Sequence, residues 1–171
     1  MKFTTNLSWK KVADSWQLAH GEEMLLSIGK EQKSIRPLYM EGKLFQIVRS
    51  SSWNNSWKII SNSDSQILQL KFGFWDSKGK IKFSDGHIYE LVFKNNPSLH
   101  FIIRDLRFGE SLISYDLDMQ SDGRVLPSML IHQKEIHTDK LFFLLALGMV
   151  ISLHYFEHTV DPTTFILLGT A

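Results

Sequence analysis

Apolar side chains recur at every second position through much of this chain. The alternation is clear over 68–72, 81–83 and 89–93, and clusters of Gly, Asn, Asp and Ser separate such runs. A period of two is typical of strands that bury one face. Runs at a spacing of about ten residues predict an antiparallel barrel or sandwich of many short strands. The first dozen residues show no clear pattern.

One turn stands out among the predicted connections. The tripeptide Ser84–Gly86 separates two alternating runs and contains Asp-Gly. This dipeptide is a strong hairpin signal because glycine accepts a positive φ without steric cost. We therefore predict a hairpin between the strands on either side.

Two other runs predict local features of the strands. In the run 23–28, the alternation predicts that Met24, Leu26 and Ile28 share one face. In the run 36–40, Pro37 lacks the N–H that a sheet ladder needs, which restricts this stretch to an edge strand or to the start of a strand.

The stretch Lys140–Glu157 has a different character. From Leu141 to Ile151 it contains no polar side chain. Thr138 suits the N-cap of a helix and Asp139 its first turn, so a helix is predicted over about 139–157. A helix that is apolar on every face has to be buried in protein or in lipid.

The length of this helix indicates whether protein or lipid surrounds it. The apolar run 141–156 would extend about 24 Å as a helix, whereas a bilayer core needs about 20 apolar residues. A wide β-layer also needs apolar material inside it. We favour a helix enclosed by the strands; a single-pass tail anchor with a cytoplasmic β-domain is the alternative.

Composition narrows the class of protein. The 171 residues are expected to form a single domain over 1–171. Lys and Arg number 19 against 18 acids, so there is no general attraction to nucleic acid, and no cysteine is present. The N-terminal stretch lacks the apolar core of a signal peptide, which favours a cytoplasmic protein.

Two stretches resemble a known superfamily. The helix Asp139–Glu157, which closes on Tyr155-Phe156-Glu157, looks like the C-terminal helix of phospholipid scramblases. The segment Phe74–Ile81 is similar to the aspartate-glycine turns of the LURP-one-related branch. The chain thus resembles the tubby C-terminal-like superfamily. That resemblance implies a closed antiparallel β-barrel of about twelve strands around a hydrophobic C-terminal helix.

The resemblance has limits. Scramblases carry an acidic calcium-binding segment before the helix, and the stretch Leu130–Asp139 has too few acids for one. Calcium binding and lipid scrambling are therefore not carried over to this chain.

A local basic feature is the candidate binding site. Lys78, Lys80 and Lys82 alternate along one predicted strand, so their ammonium groups are expected on one outer face. Tubby domains hold phosphoinositide headgroups with basic residues on neighbouring strands, so the resemblance implies a lipid-headgroup site. The alternative is a solvated face that discourages edge pairing.

Other chemistry has less support in the sequence. His154 and His158 lie four residues apart on the predicted helix and would share a face, as metal ligands do, but no third ligand is placed with them. Catalytic and cofactor-binding motifs are not recognised, so we expect no enzyme and no cofactor.

The expected function is therefore a non-catalytic barrel that binds anionic phospholipid, or a partner at the membrane, as a peripheral protein. The alternatives are a soluble structural or protein-binding barrel without lipid affinity, and the tail-anchored protein.

Overall fold

The computed structural model describes residues 7–50, 56–72, 77–94, 100–119, 125–132 and 138–159. Within these residues, twelve strands are followed by one helix. They are β1 (Leu7–Val12), β2 (Ser15–His20), β3 (Glu23–Ile28), β4 (Ile35–Met40), β5 (Lys43–Arg49), β6 (Ser56–Ser61), β7 (Gln66–Phe72), β8 (Lys78–Phe83), β9 (Ile88–Lys94), β10 (His100–Asp105), β11 (Ser111–Met119), β12 (Val125–Ile131) and α1 (Thr138–Thr159).

The strands form one antiparallel sheet in which every strand pairs with its neighbours in sequence, from β1 to β12. The sheet curls into a nearly closed barrel. In the described part of the chain, β1 and β12 approach each other without a hydrogen-bonded ladder. The predicted mainly-β barrel with a following helix is confirmed, except that this seam is not closed by hydrogen bonds.

The helix supplies the core of the barrel. Every side chain from Leu141 to Leu153 is buried except that of glycine, which has none. The apolar ones share one cluster with the inward residues of the strands. Phe143 packs edge-on against Phe45 of β5, with ring centroids 5.1 Å apart. An amphipathic helix would bury one stripe, whereas this helix is buried on all sides because strands surround it.

The described part of the chain contains no helix with the length and apolar character required to cross a membrane.

The start of α1 lies at one end of the barrel and its finish lies at the other. At its start, Lys140 Nζ lies 2.5 Å from Asp85 Oδ2 in the β8–β9 turn, and this hydrogen bond is the main cause of a pKa of Asp85 far below its usual range. Near its finish, Arg49 Nη1 lies 3.3 Å from His154 Nε2. We call these the N end and the C end of the barrel.

The local expectations had mixed outcomes. The hairpin at Ser84–Gly86 is confirmed, with Gly86 at a φ of 89°. The interpretation of Met24 is wrong: the ladder with β2 pairs Leu26 with Leu18 but Met24 with Ala19. Because this bulge inserts one extra residue, Met24 turns outward and is 53% exposed.

Pro37 lies in an interior strand, since β4 pairs with both β3 and β5. The ladder with β3, however, runs only over Leu38–Met40 and stops before the proline. β4 therefore did not need to be an edge strand, because the N–H that Pro37 lacks would lie where the ladder with β3 begins. The first residues of the described chain, which showed no clear pattern, form β1.

Candidate functional site

The three lysines singled out from the sequence lie on the outer face of β8. Lys78, Lys80 and Lys82 are exposed, while Gly79 and Ile81 between them, and Phe83 after them, point into the barrel. A Cβ on Gly79 would lie 2.6 Å from Leu70 Cδ1, so only glycine fits at this inward position without a shift. Close packing on the inward face of β8 fixes which of its residues point into the barrel, so the lysines between them point outward.

Two further lysines join them from neighbouring strands. Lys71 of β7 lies directly opposite Lys80, and Gln69 lies opposite Lys82. On the far side of β7, Lys58 of β6 lies opposite Gln69. Residues directly opposite in an antiparallel pair share one face of the sheet. We call the set the lysine face, which comprises Lys58, Lys71, Lys78, Lys80 and Lys82, all of them exposed.

The charge of this face is not neutralised by its described surroundings. No described carboxylate forms an ion pair with any of its five lysines. Glu90 of β9 lies opposite Lys80, but its carboxylate is held by Arg104, whose Nε lies 2.7 Å away. Like charges directly opposite each other destabilise a sheet. The face therefore carries repulsion that a bound anion would relieve.

Sequence reasoning missed Lys58 and Lys71. Each stands between apolar residues in an alternating run, and this signal places it on an outer face. What the alternation does not reveal is which residue of the next strand lies beside it. That depends on the register of β6, β7 and β8, and a bulge shifts the β6–β7 register.

Of the two candidate metal ligands, the structure describes the side chain of His154. His154 lies beside the guanidinium of Arg49, and its ring packs edge-on against Trp57 at 5.5 Å. The side chain of His158 lies outside the described residues. Among the residues that are described, no three His, Asp or Glu side chains form a group that would hold a metal ion.

Two histidine contacts on β10–β12 resemble parts of a catalytic relay. Ser114 Oγ lies 2.5 Å from His132 Nε2, and Asp116 contacts His100. Asp116 thus orients His100, whereas Ser114 contacts His132. Ser114 is also buried. These contacts do not assemble a serine, a histidine and an acid in series, which is what nucleophilic catalysis of that type requires.

Comparison of the chain with family models, with curated proteins and with solved structures found no match.

Proposed function

We propose that this protein is a non-catalytic, tubby- and scramblase-like barrel that binds anionic phospholipid headgroups through its lysine face. The observation that carries the proposal is the direct cross-strand juxtaposition of Lys71 and Lys80. Opposite residues of an antiparallel pair have Cβ atoms about 5 Å apart. Two ammonium groups at such a spacing, without a described acid between them, suit one phosphate group.

The fold agrees with this proposal. The number of strands and the enclosed helix match what the resemblance to the tubby C-terminal-like superfamily implies. Since the helix supplies the core, the outer faces of the strands are free to carry charge.

The strength of binding follows from the number of lysines. Each contributes about 1 kcal/mol near an anionic membrane surface, so the five lysines of the face supply about 5 kcal/mol. This free energy corresponds to a weak, reversible association that depends on salt. A peripheral association with membranes is the form of binding we propose.

Vesicle flotation tests the proposal. The wild-type protein is expected to float with vesicles that contain phosphatidylserine or a phosphoinositide, and less so as salt rises. Lys71→Gln/Lys80→Gln should float much less, while Lys43→Glu, an equal change in net charge at an exposed site on β5, should float like the wild type. Neither variant should melt below the wild type, since exposed substitutions cost little stability.

The same phosphate chemistry occurs in free inositol phosphates. A competition arm with soluble inositol trisphosphate distinguishes the two sources: displacement at concentrations near that of the accessible lipid would favour the soluble ligand. Equal flotation of all variants, or none by the wild type at low salt, would contradict a role for the lysine face.

The second candidate is a soluble barrel that binds a protein partner and has no lipid affinity. It is favoured by the turn between β10 and β11, where Leu106 and Phe108 are exposed, Phe108 to 69%. Exposed apolar side chains in one turn are typical of contact sites. This candidate predicts no flotation of any variant at any salt concentration.

A further inference from the structure

Charge is distributed unevenly along the axis of the barrel. Consecutive strands are antiparallel, so the connections alternate between the N end and the C end. The turns between β2 and β3, β4 and β5, β6 and β7, β8 and β9, and β10 and β11 lie at the N end. The connections between β1 and β2 and between β3 and β4 lie at the C end, where β5, β7 and β9 also finish.

The exposed lysines of the C end lack described acidic partners. They are Lys11, Lys30, Lys33, Lys71, Lys78 and Lys94. The acids of this half whose side chains are described are Asp14, Glu31 and Asp116. Glu31 is paired with Arg36 and Asp116 with His100. Among the side chains that the structure describes, the C end therefore carries a net positive charge.

The N end has the opposite balance. Its described acids are Glu22, Glu23, Glu41, Asp64, Asp85, Glu90, Asp105, Glu110 and Asp139. Its described basic residues are fewer, and Arg104, Arg107 and Lys140 among them are already paired with acids. Within the described residues, the net charge of this end is negative.

We infer that the barrel stands end-on at the membrane, with its C end against an anionic lipid surface. This inference rests on the proposed function and specifies its ligand as an extended surface. Lys30 and Lys33 belong to the β3–β4 connection, whereas Lys71 and Lys78 belong to β7 and β8, several strands away around the barrel. No single soluble headgroup reaches both sets, but a flat surface across the C end contacts both.

The separation of the two ends makes this orientation favourable. A strand of six residues extends about 20 Å, and charges in physiological salt are screened within about 8 Å. The acids of the N end therefore oppose binding only weakly when the C end faces the membrane. The reverse orientation would bring those acids against the anionic surface.

Charge variants test the inference. Lys30→Gln/Lys33→Gln should weaken binding to phosphatidylserine vesicles at least about fivefold and lessen its dependence on salt. Lys43→Glu, an equal change of charge near the N end, should bind like the wild type. If Lys30→Gln/Lys33→Gln binds normally while Lys80→Gln/Lys82→Gln does not, the lysine face binds from the side, and the end-on orientation is wrong although the proposed function stands.

Site-specific labelling gives an independent readout, which is direct here because the chain contains no cysteine. Asp14→Cys in the β1–β2 turn and Glu22→Cys in the β2–β3 turn each replace one exposed acid, at the C end and the N end respectively. An environment-sensitive fluorophore should respond to vesicles at position 14 and not at position 22. An equal response at both, or a response at 22 alone, would overturn the orientation.

Two further outcomes have separate meanings. If the wild type binds no anionic vesicles, the proposed function and the orientation fail together. If a single-stranded oligonucleotide at equal phosphate concentration displaces the protein from vesicles, the C end recognises phosphate chains and the membrane assignment is overturned.

Discussion

The hydroxyl of Tyr115 on β11 donates a hydrogen bond to the backbone carbonyl of Leu145 in the middle of α1, at 2.6 Å. The tyrosine ring is fully buried and stacks on Phe101 of β10, with centroids 5.1 Å apart. Burial raises the pKa of Tyr115 well above its usual range, so the hydroxyl keeps its proton as a donor. This hydrogen bond fixes the position of the enclosed helix along the barrel axis relative to β11.

The same ring explains the glycine in the helix. A Cβ on Gly148 would lie 2.3 Å from Tyr115 Cε2. Gly148→Ala should therefore destabilise the protein by about 1–3 kcal/mol through overpacking, although alanine is the better helix former by about 1 kcal/mol. Denaturant titration of this variant, of Tyr115→Leu and of the double variant would measure the coupling. A stabilised Gly148→Ala protein would contradict the close approach.

Burial of the helix on all sides makes a second prediction. Leu145 is fully buried, so Leu145→Asp places an unpaired carboxylate in the core. The penalty of several kcal/mol per buried ion is comparable to the whole stability of a domain, about 5–15 kcal/mol. We expect no folded protein by circular dichroism.

The matched control is Leu130→Asp, because Leu130 is 60% exposed on β12. It should fold with a stability within about 0.5 kcal/mol of the wild type. A cooperative melt of Leu145→Asp, like that of the control, would contradict the enclosed helix.

Asp105 at the end of β10 predicts an acid-dependent loss of stability. This buried carboxylate accepts hydrogen bonds from the backbone N–H of Arg107 and from its guanidinium, both at 2.8 Å. The guanidinium is the main cause that lowers the pKa of Asp105. A lowered pKa stabilises the folded state above the unfolded value of about 3.9, and this stability is lost as pH falls toward the folded pKa.

Asp105→Asn should accordingly cost about 1–3 kcal/mol at pH 7, and the difference from the wild type should shrink below about pH 4. Urea titrations at a series of pH values measure both. Asp64→Asn, in an exposed turn at the same end, is the control and should change little. A difference that is constant from pH 7 to pH 3 would rule out this role for Asp105.

The juxtaposed lysines predict a conflict between stability and binding. Lys71→Glu replaces a repulsive pair with an attractive one opposite Lys80, so the free energy of unfolding should rise by about 0.2–1 kcal/mol at low salt. The gain should disappear at high salt, while vesicle binding decreases. In Lys43→Glu, whose cross-strand partner is Met40, no such gain is expected. Loss of stability in Lys71→Glu would show that the two lysines do not repel.

Much of the architecture was predictable because it depends on local patterns. The all-round apolar run predicted a buried helix, Asp85-Gly86 predicted a hairpin, and alternation placed Lys80 outside. Features that depend on pairing between strands were not predictable. The bulge that exposes Met24 lies where three apolar residues, Met24 to Leu26, follow one another, and such a run does not show which of them points inward.

The candidate site shows the same division. Each lysine of the lysine face has an outward signal in its own strand, but the neighbourhood of Lys71 and Lys80 comes from the β7–β8 register. The charge difference between the two ends likewise depends on the strand order, which places Lys30 and Lys78, distant in sequence, at the same end of the barrel.

The order of elements along the chain has a consequence for biosynthesis. All twelve described strands precede α1, so the ribosome delivers the wall of the barrel before the helix that fills it. Until the helix arrives, the inward faces of the strands have no core to cover, and contacts such as that of Arg49 with His154, 105 residues apart, are not available. Closing such distant contacts is slow and leaves apolar strands exposed. The newly made chain is thus expected to depend on chaperones until α1 has been synthesised.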